Sequence, residues 1–255
     1  MKIVLIGAGN AATVLGRRIK TAGHEILQVY NRGEAAARLL AQELTSDFTN
    51  NFDTITRDAD IYIAALADSA LPAIPKDLQL GQRIVVHTAG SVSKDVLREI
   101  SGNYGVLYPL QSLRKENASA ATEIPLLVDG SNEAVVKQLE SFAGTISTKV
   151  RQADDETRLK LHAAAVIVNN FTNHLYSLTE DYCSKEQLDF TLLLPLIDET
   201  ASRLHRYSAR NMQTGPAVRK DMSTINRHLE LLSVHPHLKE IYQQLTTSIF
   251  NNTDS

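Results

Sequence analysis

The chain opens with an apolar, β-branched run at 2–6 that ends at Gly7-Ala8-Gly9-Asn10-Ala11-Ala12 and passes without a linker into a helical pattern at 11–21. Short strands that alternate with helices are the signature of βαβ units, whose crossovers stack into a parallel sheet covered by helices. The unit then repeats. Further strand patterns lie at 25–30, 61–65, 83–87, 106–108, 125–128 and 145–149, and amphipathic helical patterns at 34–43, 94–100 and 132–142. After about residue 151 the alternation stops. Residues 154–182 contain neither Gly nor Pro, and three further helical stretches follow at 188–207, 216–232 and 236–250.

The expected fold class is therefore α/β, a Rossmann-type, mostly parallel sheet over residues 1–150 followed by an all-helical domain over 151–255. At 255 residues, with 43% hydrophobic and 22% charged side chains, the chain can fill a core and is not disordered. A net charge of −3 with no Lys/Arg block provides no field for a phosphate backbone, so no nucleic-acid partner is expected. No apolar stretch reaches the roughly 18 to 20 residues that span a bilayer, and the single Cys183 excludes an intramolecular disulfide. The first apolar run stops at Gly7, too short for a signal-peptide core. A cytoplasmic protein without a membrane partner is expected.

The Gly7 to Ala12 stretch fits G-x-G-x-x-A in the context that motif requires, after a strand and before a helix. Gly7 permits the tight turn, Gly9 keeps side-chain bulk away from a pyrophosphate, and Ala12 lets helix and strand pack closely. With Ala8, Asn10 and Ala11 they form the expected dinucleotide cradle, the pyrophosphate resting on free N–H groups at the helix N-terminus. The second strand then selects the cofactor. It ends in Asn31-Arg32, with no carboxylate to hold a ribose 2′-OH and a guanidinium suited to a 2′-phosphate, so NADP is favoured over NAD. Arg32 has a second reading as a solvated loop residue. Two other strand patterns end in Leu66-Ala67-Asp68-Ser69 and His87-Thr88-Ala89-Gly90-Ser91, where open α/β sheets bind ligands. Ala67, Asp68, Thr88 and Gly90 are the expected cofactor contacts there, while His87 reads first as a satisfied strand-end histidine.

On the first C-terminal helix His162, Val166, Asn169, Asn173, Tyr176 and Glu180 recur with helical spacing, giving one polar face. Leu161, Ala164, Ala165, Val168, Leu175 and Leu178 form the opposite, apolar side, suited to burial. A polar stripe is commonly solvated surface. Its His and paired Asn, however, are groups that orient a carbonyl or carboxylate. Gly215-Pro216 reads as a turn entering a helix, after which Arg219 is a candidate carboxylate clamp and Asp221 a structural ion-pair partner of Arg219.

Gly7-Ala8-Gly9-Asn10, His87-Thr88-Ala89-Gly90-Ser91, Tyr108-Pro109-Leu110-Gln111-Ser112, the stretch 162–170 and the stretch 215–221 resemble, across essentially the whole chain, a bacterial family of NADP oxidoreductases. That family joins a deazaflavin-type NADP oxidoreductase Rossmann domain to a helical C-terminal domain of unknown function. The chain is more distantly similar to pyrroline-5-carboxylate reductases and β-hydroxyacid dehydrogenases. The resemblance implies hydride transfer at an interdomain cleft and a homodimer formed through the C-terminal helices. One departure bears on mechanism. The β-hydroxyacid dehydrogenases carry a catalytic Lys four residues before an Asn, whereas Lys160 here is followed at that distance by Ala164. His162 is the better-placed acid/base.

The expected activity is hydride transfer between NADP(H) and a small, carboxylated carbonyl or imine. His162 serves as acid/base, Asn169 and Asn173 orient substrate, Gln111 or Arg219 meets its polar end, and no metal takes part. Two rival readings are a non-catalytic NADP-binding sensor and an enzyme that exchanges hydride with a reduced deazaflavin.

Overall fold

The computed structural model describes residues 1–75, 78–117 and 123–253. By their internal contacts they form two compact units, Met1–Asn169 and Asn170–Ser255.

Among the described residues of the first unit, eight strands form one sheet: β1 (Lys2–Ile6), β2 (Glu25–Tyr30), β3 (Asp47–Thr49), β4 (Ile61–Ala64), β5 (Ile84–His87), β6 (Asn103–Pro109), β7 (Leu126–Gly130) and β8 (Val150–Gln152). Their order is β3-β2-β1-β4-β5-β6-β7-β8. Every pair from β3 across to β6 is parallel; β7 runs antiparallel to β6, and β8 parallel to β7. The chain leaves β1 toward β2 on one side and reaches β4 on the other. The order reverses there, which opens a crevice at the carboxyl ends of β1 and β4.

The strands read as unbroken apolar runs because both faces are covered. Ile3 and Leu5 of β1 pack with α1 (Asn10–Thr21), α2 (Glu34–Leu44) and α3 (Glu133–Ile146) through Leu15, Leu40 and Leu139. Val4 and Ile6 face the opposite core, built from Tyr62, Leu71, Leu97 and Ile100. That second face is closed by short 3₁₀ turns. The helix expected at 94–100 is a single turn, Lys94–Leu97, started by the Ser93 side chain accepting from the Asp95 amide.

The sheet departs from expectation in two places. The strand expected at 145–149 is the end of α3 followed by β8, because Phe142, Ala143 and Ile146 complete the buried face of that helix. Tertiary packing here overrides the β-branched propensity of Thr145 and Ile146. Strand β3 carries no apolar alternation and was not anticipated. By contacts the chain divides after Asn169, with β8 paired to β7 and α4 (Asp155–Ala165) fastened to the first unit by a buried Arg158.

The expected 154–182 helix is interrupted. α4 leads into a π turn, Val166–Phe171, and only then into α5 (Thr172–Lys185). A π turn takes in extra residues, so positions before and after it lose the common helical face assumed for the polar stripe. The apolar side expected to be buried is not: Leu161 and Ala164 are exposed, Val168 is 72% exposed, and Ala165, Leu175 and Leu178 are half-buried.

The second unit continues through α6 (Leu194–Arg203), α7 (Met222–Leu231) and α8 (Pro236–Thr253). The stretch 188–207 divides into a 3₁₀ turn, Phe190–Leu193, and α6. The helix expected from 216 begins at Met222, where the Asp221 carboxylate accepts from the Thr224 amide and caps it. No described helix is long and apolar enough to cross a membrane.

Candidate functional site

Gly7 adopts φ +120°, and a Cβ there would lie 2.3 Å from the Ala65 carbonyl oxygen. Its N–H donates to the Tyr30 carbonyl at 2.7 Å. The turn is therefore held between the ends of β2 and β4, a position only glycine tolerates. Gly9 differs. It is the N-cap of α1 with φ −85°, no side chain caps the helix, no acidic residue occupies its first turn, and a Cβ at Gly9 would meet no atom within 4 Å. Open space in front of an uncapped helix N-terminus fits the pyrophosphate of a dinucleotide. Ala12 is fully buried, while Ala8 and Ala11 pack half-buried against the core. The Asn10 Oδ1 accepts from the Lys115 amide at 3.4 Å, and Arg17 donates to the Lys115 carbonyl at 2.7 Å. Asn10 thus fixes the segment after β6 to α1.

At the end of β2, Asn31 donates to the Gly33 carbonyl at 3.0 Å, shaping the turn into α2. Arg32 is exposed in that turn and has no hydrogen-bond or ion-pair partner among the described residues. The nearby Glu34 carboxylate is engaged by Arg38 at 2.5 Å. The turn after β2 thus carries a cation with no hydrogen-bond or ion-pair partner among the described residues.

Across the crevice, Ala67 starts the turn after β4, and the Ser91 hydroxyl donates to the Asp68 carboxylate, which joins two loops expected to touch cofactor. Thr88 is buried and its N–H donates to the Ala64 carbonyl at 3.3 Å. His87 is fully buried: its Nδ1 accepts from the Ala89 amide at 3.2 Å, and Nε2–H donates to the Ser93 carbonyl at 3.3 Å. Both ring nitrogens are used, so His87 shapes the loop rather than serving chemistry. Burial, reinforced by the Arg158 charge, pushes its pKa from 6.5 down to about 4.

This shift has a stability consequence. The unfolded chain protonates His87 before the folded one, so the stabilisation is complete above pH 6.5 and is lost as pH falls toward about 4. The loss amounts to about 3 kcal/mol. Urea unfolding at pH 7 and at about pH 4.5 should show that difference in the parent and a much smaller one in His87→Gln; equal slopes in the two proteins would remove His87 from the pH response.

The next contact brings distant segments together. Tyr108, at the end of β6, and His162, on α4, place Oη and Nδ1 2.9 Å apart with their rings edge to face. Burial, and secondarily the Asp68 carboxylate, hold the Tyr108 phenol above its ordinary pKa, against the opposing charge of Arg158. The phenol keeps its proton, and its hydroxyl can turn either to donate to Nδ1 or to accept from Nδ1–H, so the bond serves either tautomer of His162. Gly90 lies against both. A Cβ there would fall 2.7 Å from His162 Nδ1 and 2.9 Å from Tyr108 Cζ. Gly90, Tyr108 and His162 are thus one packed cluster at the carboxyl ends of β5 and β6.

The other expected substrate groups are more dispersed. Asn169 is half-buried in the π turn, and Gln111 is exposed with its Oε1 turned back to accept from the Ser112 amide at 3.0 Å. Asn173 is exposed on the first turn of α5 in the second unit. Arg219, in the turn before α7, lies near enough to Asp221 to help hold that carboxylate below its ordinary range, after the Thr224 hydrogen bonds. Asp221 is chiefly a helix cap. No His/Cys/Asp/Glu cluster that could hold a metal occurs among the described residues. Tyr108 and Arg158 carried no role in the sequence reading. Tyr108 could have been flagged by its place at a strand's carboxyl end, whereas nothing local marks Arg158 as buried.

Residues 2–91 match the family model described as NADP oxidoreductase, coenzyme F420-dependent, and residues 124–249 match a domain of unknown function, DUF2520. Among solved structures the chain is similar to "putative NADP oxidoreductase BF3122" from Bacteroides fragilis, with 39% identity, 98% of each chain covered and a TM-score of 0.91. It shares its fold with a 1-pyrroline-5-carboxylate reductase from Streptococcus pyogenes (14% identity, 98% of each chain, TM-score 0.64). It does so too with an imine reductase from Streptomyces aurantiacus (12% identity, 100% of this chain and 95% of the other, TM-score 0.71). No curated protein matches the chain. With its glycine turn, its reversed sheet order and a match over nearly the full length of both proteins, the chain belongs to the family of NADP oxidoreductases that carry a DUF2520 domain after the nucleotide-binding sheet.

Proposed function

We propose that the chain reduces a small, carboxylated carbonyl or imine compound with NADPH, using Tyr108 and His162 as its proton-handling pair. The observation that carries this reading is the 2.9 Å contact between the two side chains, pressed against Gly90 at the ligand-binding edge of the sheet. The turn from Gly7 to Ala12 holds the pyrophosphate, Arg32 the 2′-phosphate, and Ala67, Thr88 and Gly90 the nicotinamide riboside. Bound there, the cofactor supplies a hydride. The imidazolium of His162 gives its Nε2 proton to the oxygen or nitrogen that gains negative charge as the substrate is reduced, and the neutral imidazole left behind takes a proton back from solvent. Nδ1–H donates to Tyr108 Oη throughout, which holds the ring in place. Asn169 and Gln111 are the proposed polar contacts for substrate.

The test is a screen of oxo acids and cyclic imines, with NADPH consumption as readout. Tight NADPH binding with no consumption by any of them would reassign the chain to a non-catalytic NADP-binding protein. The family description favours one second reading, hydride exchange with a deazaflavin; loss of the reduced deazaflavin spectrum on adding NADP and the protein would establish it. Cofactor choice has its own test. Arg32→Ala should weaken NADPH by roughly 10- to 100-fold, the worth of a charge-assisted pair, and NADH hardly at all. Equal losses for both would remove the phosphate role.

We also propose that two copies associate through the second unit. Among its described residues the only buried apolar side chains are Cys183, Ala217, Ile225 and Leu232, while Leu192, Leu196, Leu204, Leu231 and Val234 are each more than half exposed. So small a core does not offset the entropy of ordering the helices, and a second copy of the same surface supplies the missing burial. Sedimentation should give twice the chain mass at micromolar concentration; a folded monomer there would overturn the proposal.

A further inference from the structure

We propose that Arg158 is the positioning residue of the Tyr108–His162 pair, latching the loop after β5 to α4 one helical turn before His162. The inference rests on the reading of that pair as the reacting centre.

Arg158 is 1% exposed on a helix whose other side chains are half-buried or exposed. One nitrogen, Nη2, donates both to the Val92 carbonyl and to Asp155 Oδ1, the latter at 2.7 Å. The same Asp155 oxygen accepts from the Lys94 amide at 3.3 Å, and the Lys94 ammonium reaches Asp129 of β7 at 2.6 Å. Helix, loop and sheet are therefore joined by a line of alternating charges. The loop so fastened is the one that carries Gly90 against His162, with no room for even a methyl group between them. A small displacement of loop against helix would either push the backbone into the imidazole or open a gap behind it.

The arrangement is costly for stability alone. Nε and Nη1 of Arg158 are buried without a hydrogen-bond partner among the described residues. Burying a half-satisfied guanidinium is expensive, and well-packed apolar side chains commonly serve stability as well or better. Function explains why a charge is there. The Arg158 charge also opposes the effect of burial on the Tyr108 phenol, so it acts on the pair it positions.

The test uses the full chain without cofactor, so its outcome is separate from NADPH binding and turnover, on which the reductase reading stands. Hydrogen exchange at the Ala89 and Lys94 amides reports the latch, and the ¹⁵N signal of His162 Nδ1 reports its hydrogen bond with Tyr108. Arg158→Gln should speed exchange at both amides at least about tenfold, as loss of a hydrogen bond to a charged group does. It should also move the Nδ1 signal toward that of a free imidazole. Arg158→Lys, which keeps the charge and a donor, should fall between the two. Leu139→Ala, a cavity in the core beside α3, controls for general loss of stability and should leave both readouts alone. Parent-like exchange and an unchanged Nδ1 signal in Arg158→Gln would overturn the proposal, as would equal changes in Leu139→Ala. Should Arg158→Gln fail to fold, Asp155→Ala removes the carboxylate that joins Arg158 to the Lys94 amide and is judged by the same outcomes.

Discussion

Gly9→Ala should weaken NADPH binding by at least about a hundredfold while leaving the thermal midpoint within a degree or so of the parent, because one added methyl forfeits about two charge-assisted hydrogen bonds. At Gly9 the backbone already has a φ of −85° that alanine adopts freely, and the new Cβ meets no atom of the protein within 4 Å. It would enter only the space assigned to the pyrophosphate. Gly7→Ala is the opposite case. There φ is +120° and the Cβ would sit 2.3 Å from the Ala65 carbonyl oxygen, so β1 and β4 must separate before the side chain fits. That variant should lose several kcal/mol of stability as well as its ligand. Calorimetric titration alongside thermal melting separates the two residues. A Gly9→Ala protein with parental NADPH affinity would move the phosphates away from this turn.

His162→Ala should lower kcat by roughly 10²- to 10⁴-fold, the usual worth of a positioned acid/base, on whichever carbonyl or imine the screen identifies. NADPH affinity should change little, since the proposed phosphate contacts lie at α1 and β2. Tyr108→Phe removes only the hydroxyl that steadies Nδ1, so a smaller loss, of the order of tenfold, is expected. Gly90→Ala should resemble His162→Ala despite changing neither reacting group, because its Cβ would occupy the position of the imidazole edge. Steady-state kinetics on the three variants give the ranking. Full turnover in His162→Ala would exclude the imidazole from proton transfer.

The glycine turn, the parallel sheet and the change to helices near residue 151 are legible along the chain because each depends on residues within a few positions of one another. A doubly covered strand must be apolar throughout, and a strand that becomes a helix at Gly-x-Gly has few other uses. Where local preference and packing disagreed, the sequence reading failed. Thr145 and Ile146 look like strand residues, yet Ile146 finishes the buried face of α3. The polar stripe assumed one uninterrupted helix, and the π turn from Val166 to Phe171 breaks its phase.

By itself the sequence determined the glycine turn between the first strand and its helix, the alternation of strands and helices up to about residue 151, and His162 as a candidate. Only the tertiary structure decided that His162 is bonded to Tyr108, 54 residues away, and packed on Gly90, with Arg158 of α4 buried beneath the Val92 loop. These contacts join the ends of different strands to a helix that follows the whole sheet. The register between such segments is set by strand order and crossovers, and the local pattern of no single segment encodes it.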